Sequence, residues 1–166
     1  MSKLFRTTLW ILSGIGLIAF FFQTLSTFLI SPLMGLLSLL IAAILVALVI
    51  YLLQRSPMWA RPARLWATLA FLWGGGVAVA LALISAGPVM QLAIGTGWVD
   101  AMMSWSGAYP EEISKATGVI FVLMSFRQLN RPWHGWMVGA VVGLGFEACE
   151  NILYGAMGAT MHPDSD

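Results

Sequence analysis

The sequence predicts an all-α fold, a polytopic transmembrane helix bundle, and three features of the chain lead to that prediction. Of its 166 residues, 60% are hydrophobic and only 9% are charged, whereas an ordinary soluble domain carries roughly 25% charged residues. The mean hydropathy is +0.88. Apolar stretches of about 20 residues, the length that crosses about 30 Å of hydrocarbon as a helix, recur along the chain. We therefore treat residues 1–166 as a single membrane domain.

Five apolar stretches along the chain are predicted to span the bilayer, so we expect a bundle of about five spans. They are separated by segments that contain Pro or Gly, the residues that most often end helices or mark turns. The fourth stretch is short and begins with charged residues. The predicted spans are Thr8–Ile30, Leu33–Leu53, Leu65–Gln91, Glu111–Phe126 and Trp133–Gly158.

The first stretch also has features of a secretory signal, because it follows Lys3 and Arg6. Its apolar run is longer than the usual run of about 7–15 residues, and no small-x-small cleavage site closes it. We therefore interpret it as a retained helix.

Positive charges alternate between the connections and so predict an orientation. Lys and Arg occur at the N-terminus and in every second connection, and they are absent from the alternate connections. Because cytoplasmic loops carry the excess of Lys and Arg, we expect a cytoplasmic N-terminus and an outer C-terminus. The segment 95–110, which is rich in Trp, Met and Tyr, is expected to lie in the outer membrane interface.

Four of the seven acidic residues lie within or at the edge of the last two apolar stretches. A charged side chain at the centre of a bilayer costs at least ~2.5–3.5 kcal/mol on insertion scales, so such residues usually face the bundle interior and mark a site. The four are Glu111, Glu112, Glu147 and Glu150.

The fourth span opens with Tyr109-Pro-Glu-Glu-Ile-Ser-Lys115. Its proline suits the first turn of a helix, and Glu111 and Lys115 are four residues apart and can pair. The helix dipole favours a carboxylate at this position. Two adjacent carboxylates repel each other, however, which favours a proton shared between them. A protonatable carboxylate is what general acid–base chemistry requires.

The fifth span carries small residues four apart, at Gly135, Gly139 and Gly143. At about 100° per residue these glycines and Glu150 fall within roughly 80° of one another around the helix. Glycines at this spacing let a neighbouring helix approach closely, so we expect Glu150 to face protein, where a buried carboxylate needs a partner. Glu147 lies at the edge of that face, and it has the weaker claim to a role.

The depth of each residue in the membrane separates the histidines from the carboxylates. Counting 1.5 Å per helical residue, the glutamates share the outer third, whereas His134 lies only about 5 Å above Arg131. His134 is therefore expected to be an interfacial residue rather than a metal ligand. His162 is on the same side as the carboxylates, in a polar tail. The single cysteine, Cys149, excludes an intrachain disulfide and is expected to be a small buried hydrophobe.

The motifs in the last two spans resemble those of the PrsW family of intramembrane proteases, relatives of the CAAX-processing and bacteriocin-immunity proteases. Glu111-Glu112-Ile-Ser-Lys115 is similar to the family's Glu-Glu-x-x-Lys. The segment 143–154, Gly-Leu-Gly-Phe-Glu-Ala-Cys-Glu-Asn-Ile-Leu-Tyr, is similar to its Gly-x-Gly-Phe-x-x-x-Glu-Asn-x-x-Tyr. The resemblance covers roughly residues 105–160.

The chain departs from the family pattern in two places. It has His134-Gly135 where the family usually has Asp-Gly, and it lacks the family's later helices with their histidine motif. We therefore expect the chain to be the N-terminal part of a longer protein that continues beyond residue 166.

The resemblance implies an intramembrane protease of the bacterial plasma membrane that hydrolyses a peptide bond in a membrane-anchored protein substrate. It also implies that carboxylates activate water directly or through a metal. We assign Glu111 or Glu112 as the general base and Lys115 as its electrostatic neighbour. Glu150 is assigned as a second base or ligand, and Asn151 as an oxyanion donor. A catalytic zinc normally has three protein ligands, so Glu112 and Glu150 would need a third ligand from the further helices. A fragment without that ligand need not be active.

Two other functions remain open from the sequence. A proton-coupled or ion-coupled transporter would also place carboxylates and a lysine inside a bundle, although no inverted repeat is evident. A non-catalytic scaffold would use the glutamates only to hold helices together. The expected partners are a membrane-anchored protein substrate and the lipid bilayer. No nucleic acid is expected, and the oligomeric state stays open.

Overall fold

The computed structural model describes residues 3–161, and that part of the chain is built from helices without strands. This confirms the predicted all-α membrane bundle. In chain order, the elements are α1 (Lys3–Ile30), α2 (Pro32–Arg55), α3 (Arg64–Leu72), a π-helical segment (Trp73–Ala78), α4 (Val79–Gly95), a 3-10 turn (Val99–Ala101), α5 (Met102–Ser125) and α6 (Pro132–Met161).

Four helical stretches in the described part are long and apolar enough to cross a membrane, one fewer than the sequence predicted. Helix α5 is the exception, although its 24 residues are long enough. Every 18-residue window of α5 contains the charged residues Glu111, Glu112 and Lys115. The four stretches are Lys3–Ile30, Pro32–Arg55, Arg64–Gly95 and Pro132–Gly155.

Helix α5 begins nine residues earlier than the predicted span, at Met102, and so incorporates most of the aromatic segment that precedes Pro110. Pro110 lies inside the helix rather than in its first turn. A proline inside a helix within a bundle is tolerated because neighbouring helices compensate for the lost backbone hydrogen bond. Here α5 packs along α4. Ring contacts also join Trp98 to Trp105 (5.0 Å) and Trp105 to Tyr109 (5.6 Å) across the turn and the start of the helix.

The third predicted span is one continuous helical stretch whose middle is the π-helical segment. All six residues of that segment, Trp-Gly-Gly-Gly-Val-Ala, are buried. A Cβ placed on Gly76 would overlap the backbone of Gly16 in α1, and one on Gly75 would lie 2.8 Å from the carbonyl oxygen of Gly145 in α6. Only glycine, which has no side chain, permits such a backbone approach. The segment is therefore held between α1 and α6.

A tryptophan from the same segment fixes α5. The indole nitrogen of Trp73 donates a hydrogen bond to the carbonyl oxygen of Ser114 (3.0 Å), and its ring stacks on Phe121 at 5.3 Å between centroids. A Cβ on Gly118 would overlap the Trp73 ring, so the glycine makes room for it. Both helices that carry the glutamates, α5 and α6, are thus attached to the π-helical segment.

The glycine stripe predicted on α6 faces α5, but it does not make the close approach. A Cβ on Gly135 or Gly139 would lie 3.9 Å from Leu123 or Val119 of α5, and one on Gly143 would have no neighbour within 4 Å. The close contact is made instead by Gly145, which packs on the π-helical segment. The spacing prediction was wrong because periodicity identifies a face but not how closely the partner helix approaches it.

Candidate active site

Glu111 of α5 and Glu150 of α6 line the same small cavity, which is bounded on its third side by α4. Its volume is about 100 Å³, which is room for several water molecules. Apart from the two carboxylates and one hydroxyl, the lining is apolar. The remaining lining residues are Val79, Ala82, Leu83, Ala86, Ser106, Gly107, Phe146 and Leu153. We call this space the carboxylate cavity.

The register of α5 against α6 places the two carboxylates together. The neighbours of Gly135 and Gly139 are Leu123 and Val119, so the helices run antiparallel, and each turn toward the C-terminus of α6 meets an earlier turn of α5. Continuing this register brings Glu150 opposite Ala108, less than one helical turn (about 4.5 Å) from Glu111. The Glu111 side chain runs back toward the start of its helix, as long helical side chains do. Its Oε1 would lie 3.8 Å from a Cβ on Gly107.

Glu112 points away from the carboxylate cavity. Its carboxylate pairs with the Lys115 ammonium at 2.5 Å, and its side chain is 72% exposed, against 21% for Lys115. The pairing is therefore between residues three apart, not between Glu111 and Lys115 as the spacing suggested. The Lys115 Nζ also lies 4.5 Å from the centre of the Phe146 ring, which lines the cavity. The structure thus brings Glu111 and Glu150 together and separates both from Glu112.

The polar residues that follow Glu150 on α6 form hydrogen bonds within the helix. The Asn151 amide nitrogen donates to Glu147 at 3.3 Å, so the predicted oxyanion donor is bonded away from the cavity. The Tyr154 hydroxyl donates to Glu150 Oε1 at 3.5 Å. Sequence reasoning gave Tyr154 no role, although its four-residue spacing from Glu150 was a usable signal. Nothing in the sequence pointed to Ser106.

The histidine and the cysteine of α6 lie outside the carboxylate cavity. His134 is buried, and its Nδ1 accepts a hydrogen bond from the backbone N–H of Arg131 at 3.1 Å, which caps the start of α6. Its predicted separation from the glutamates is confirmed by this position. Cys149 is 1% exposed, as expected for a small buried hydrophobe. His162 lies outside the described residues.

A zinc ion needs more donors than the carboxylate cavity offers. Within residues 3–161, no group of three His, Cys, Asp or Glu side chains could hold a metal. Glu111 and Glu150 supply two carboxylates, whereas a catalytic zinc normally takes three protein ligands. The described residues therefore do not fit a complete zinc site, and the chemistry below is derived from the carboxylates alone.

Comparison with known proteins gives one match. A model of the PrsW family intramembrane metalloproteases matches residues 61–166, more than half of the chain. Neither the curated proteins nor the solved structures contain a match. The matched region includes α3, α4 and both helices that carry the glutamates. The description of the family implies a metal and a protein substrate in the membrane. Its match agrees with the apolar bundle and with the two motifs, and the chain belongs to the PrsW family of intramembrane metalloproteases.

Proposed function

We propose that this chain hydrolyses a peptide bond in a membrane-anchored protein, and that Glu111 and Glu150 activate the attacking water. The observation behind this proposal is that two carboxylates from different helices line one small cavity with apolar walls. Membership of the family supports the peptidase activity. The cavity geometry supports the choice of these two glutamates over the others.

The two carboxylates suit the two proton transfers of peptide hydrolysis. Both cannot easily be ionised in one apolar cavity, because like charges repel there, so one carries a proton. The ionised carboxylate takes a proton from water as the oxygen attacks the carbonyl carbon. The protonated carboxylate then donates its proton to the amine nitrogen as the C–N bond breaks. The Tyr154 hydroxyl donates a hydrogen bond to Glu150 Oε1 and helps to hold that carboxylate in place.

Lys115 is proposed as a positioning residue for this pair. Its ammonium lies over Phe146 and its charge is balanced by Glu112, so the side chain sits beside the cavity without lining it. Asn151 as an oxyanion donor would have to give up its bond to Glu147. Zinc bound by Glu112 and Glu150 stays a prediction. It would require Glu112 to leave Lys115 and a third ligand to join the two.

A cleavage assay with matched carboxyl-to-amide substitutions tests the proposal. The chain would be reconstituted in proteoliposomes with a library of single-span reporter proteins, and new N-termini would be identified by mass spectrometry. General acid–base groups contribute about 10²–10⁴-fold to rate, so Glu111→Gln and Glu150→Gln should each slow cleavage at least 100-fold. Asp100→Asn, in the 3-10 turn, is the control and should leave the rate unchanged.

Two outcomes would contradict the proposal. Cleavage at the wild-type rate in Glu111→Gln and Glu150→Gln would remove both glutamates from the mechanism. Proton flux into the same proteoliposomes, without new N-termini, would support the transporter instead. Thermal unfolding of each variant separates loss of chemistry from loss of folding.

A further inference from the structure

A second, larger cavity lies at the opposite end of α5 from the glutamates, and it is lined by four arginines. Its volume is about 890 Å³. The arginines come from four separate segments: Arg6 from α1, Arg61 from the connection before α3, Arg64 from the first turn of α3, and Arg127 from the connection after α5. Among the described residues, no acidic side chain lines it. We propose that this arginine cavity binds the phosphate of an anionic phospholipid.

Within residues 3–161, no carboxylate forms an ion pair with any of the four arginines. The one ion pair in the described part of the chain joins Lys115 to Glu112. The glutamates of α5 and α6 lie about 20 Å or more along their helices from the arginine end. Four guanidinium groups around one space repel each other unless an anion binds between them. A phosphate suits that position because guanidinium groups bind its oxygens in pairs of parallel hydrogen bonds.

The arginine cavity continues into an apolar groove between α2 and α3, and this continuity indicates a lipid rather than free phosphate. The groove has a volume of about 480 Å³. Its other lining residues are Val46, Ile50, Ala67, Thr68, Phe71 and Leu72. Four residues line both spaces, namely Gln54, Trp59, Ala63 and Arg64. Helix α2 packs on α1 and α6, which leaves its other side free to form one wall of the groove.

The groove has the direction needed to receive the first part of an acyl chain. From Gln54 to Val46 on α2, and from Arg64 to Leu72 on α3, the lining extends about 12 Å along each helix, at 1.5 Å per residue. It therefore leads from the charged end toward the apolar middle of the bundle. A phospholipid would place its phosphate on the arginines and one chain in the groove. Basic pockets between transmembrane helices bind anionic headgroups in this way.

This inference is independent of the proposed protease function, since it uses neither the carboxylate cavity nor any residue beside it. The test uses delipidated chain in detergent, titrated with dioleoyl phosphatidylglycerol, dioleoyl phosphatidylcholine, dihexanoyl phosphatidylglycerol or inorganic phosphate. Binding is measured by native mass spectrometry and by the rise in unfolding temperature. We expect dioleoyl phosphatidylglycerol to bind at least tenfold more tightly than any of the other three probes.

Two charge variants make the test specific to the cavity. Arg127→Gln should weaken dioleoyl phosphatidylglycerol binding about fivefold, and Arg64→Gln combined with it about tenfold or more. Arg131→Gln is the matched control. Arg131 lies in the same connection as Arg127, but its guanidinium stacks over Trp133 at 5.5 Å and does not line the cavity. If Arg131→Gln weakened lipid binding as much as Arg127→Gln does, the loss would reflect only the change in net charge. That result would overturn the proposal.

A groove variant tests the acyl chain separately. Ala67→Phe narrows the groove, so it should weaken dioleoyl phosphatidylglycerol binding and leave dihexanoyl phosphatidylglycerol binding unchanged. Two further results would overturn the proposal: phosphatidylcholine bound as tightly as phosphatidylglycerol, or inorganic phosphate bound as tightly as the long-chain lipid. The second would assign the cavity to a soluble anion. Unfolding temperatures measured without lipid confirm that each variant is folded.

Discussion

The two faces of α6 differ in how closely they are packed, although both carry glycine. On one face, a Cβ at Gly145 would overlap the carbonyl oxygen of Phe71, and the neighbouring side chains of Val142 and Cys149 are buried. On the other face, Gly143 has no neighbour within 4 Å of a Cβ position. Glu150 lies on that face and lines the carboxylate cavity. The closely packed face fixes the helix, and the open face leaves room for water.

The closely packed face also explains how two carboxylates are held in one cavity. Catalytic groups keep their geometry when they stand on rigid elements whose packing leaves them little freedom. Helix α6 is fixed to the π-helical segment through Gly145 and Gly75. Helix α5 is fixed to it through Trp73 and Ser114. The π-helical segment is thus the shared support of Glu111 and Glu150, and π-helical turns are frequent at functional sites.

The largest predicted effect comes from adding a methyl group to the closely packed face of α6. Gly145→Ala forces the Cβ against the backbone of α3, where no side chain can move aside. Overpacking of this kind typically lowers the free energy of unfolding by about 1–3 kcal/mol. Denaturation in detergent, followed by circular dichroism, would measure the change. Cleavage should fall as well, because α6 would shift and carry Glu150 with it.

Gly143→Ala, two residues earlier on the same helix, is the control for that prediction. Its Cβ enters open space, and alanine favours a helix by about 1 kcal/mol over glycine. The stability of this variant should therefore stay the same or rise. A similar loss of stability in both variants would show that the two faces do not differ in packing.

The second prediction concerns the attachment of α5. Trp73→Phe keeps an aromatic ring beside Phe121 but removes the hydrogen bond to Ser114. The carbonyl oxygen keeps its helical partner, so the lost hydrogen bond should cost about 1 kcal/mol of unfolding free energy. The smaller ring at this buried site adds a further loss. The same detergent denaturation measures it. Trp98→Phe provides the comparison, because Trp98 is 56% exposed and should change stability less. An equal loss in both would contradict a specific role for Trp73.

The sequence was sufficient to predict an all-helical bundle and one of the two faces of α6. Hydropathy alone predicted the all-helical bundle, and periodicity placed Gly135, Gly139 and Glu150 on the face that meets α5. Periodicity could not predict the distance between the helices, which depends on the side chains of both partners. The close approach therefore appeared at Gly145 instead.

The candidate site was predicted only in part, because it too depends on how α5 and α6 pack against each other. The motif contains two adjacent glutamates, Glu111 and Glu112. Their spacing alone does not decide which of the two side chains lies toward α6. The register of α5 against α6 determines that Glu111 lines the cavity and Glu112 does not. The start of α5 was misplaced because Pro110 usually marks a first turn. Here the aromatic contacts and the packing on α4 extend the helix past it.

The smallest predicted effect comes from the exposed ion pair beside the carboxylate cavity, and it separates Glu112 from Glu111. Because Glu112 is 72% exposed, Glu112→Gln should change stability by less than about 1 kcal/mol. Its only contribution to cleavage would be to hold Lys115, so the rate should fall less than about tenfold, against at least 100-fold for Glu111→Gln. A loss as large as that of Glu111→Gln, measured in the same proteoliposomes, would place Glu112 in the mechanism. Catalysis would then require Glu112 to leave Lys115 and turn from the exposed side of α5 into the carboxylate cavity.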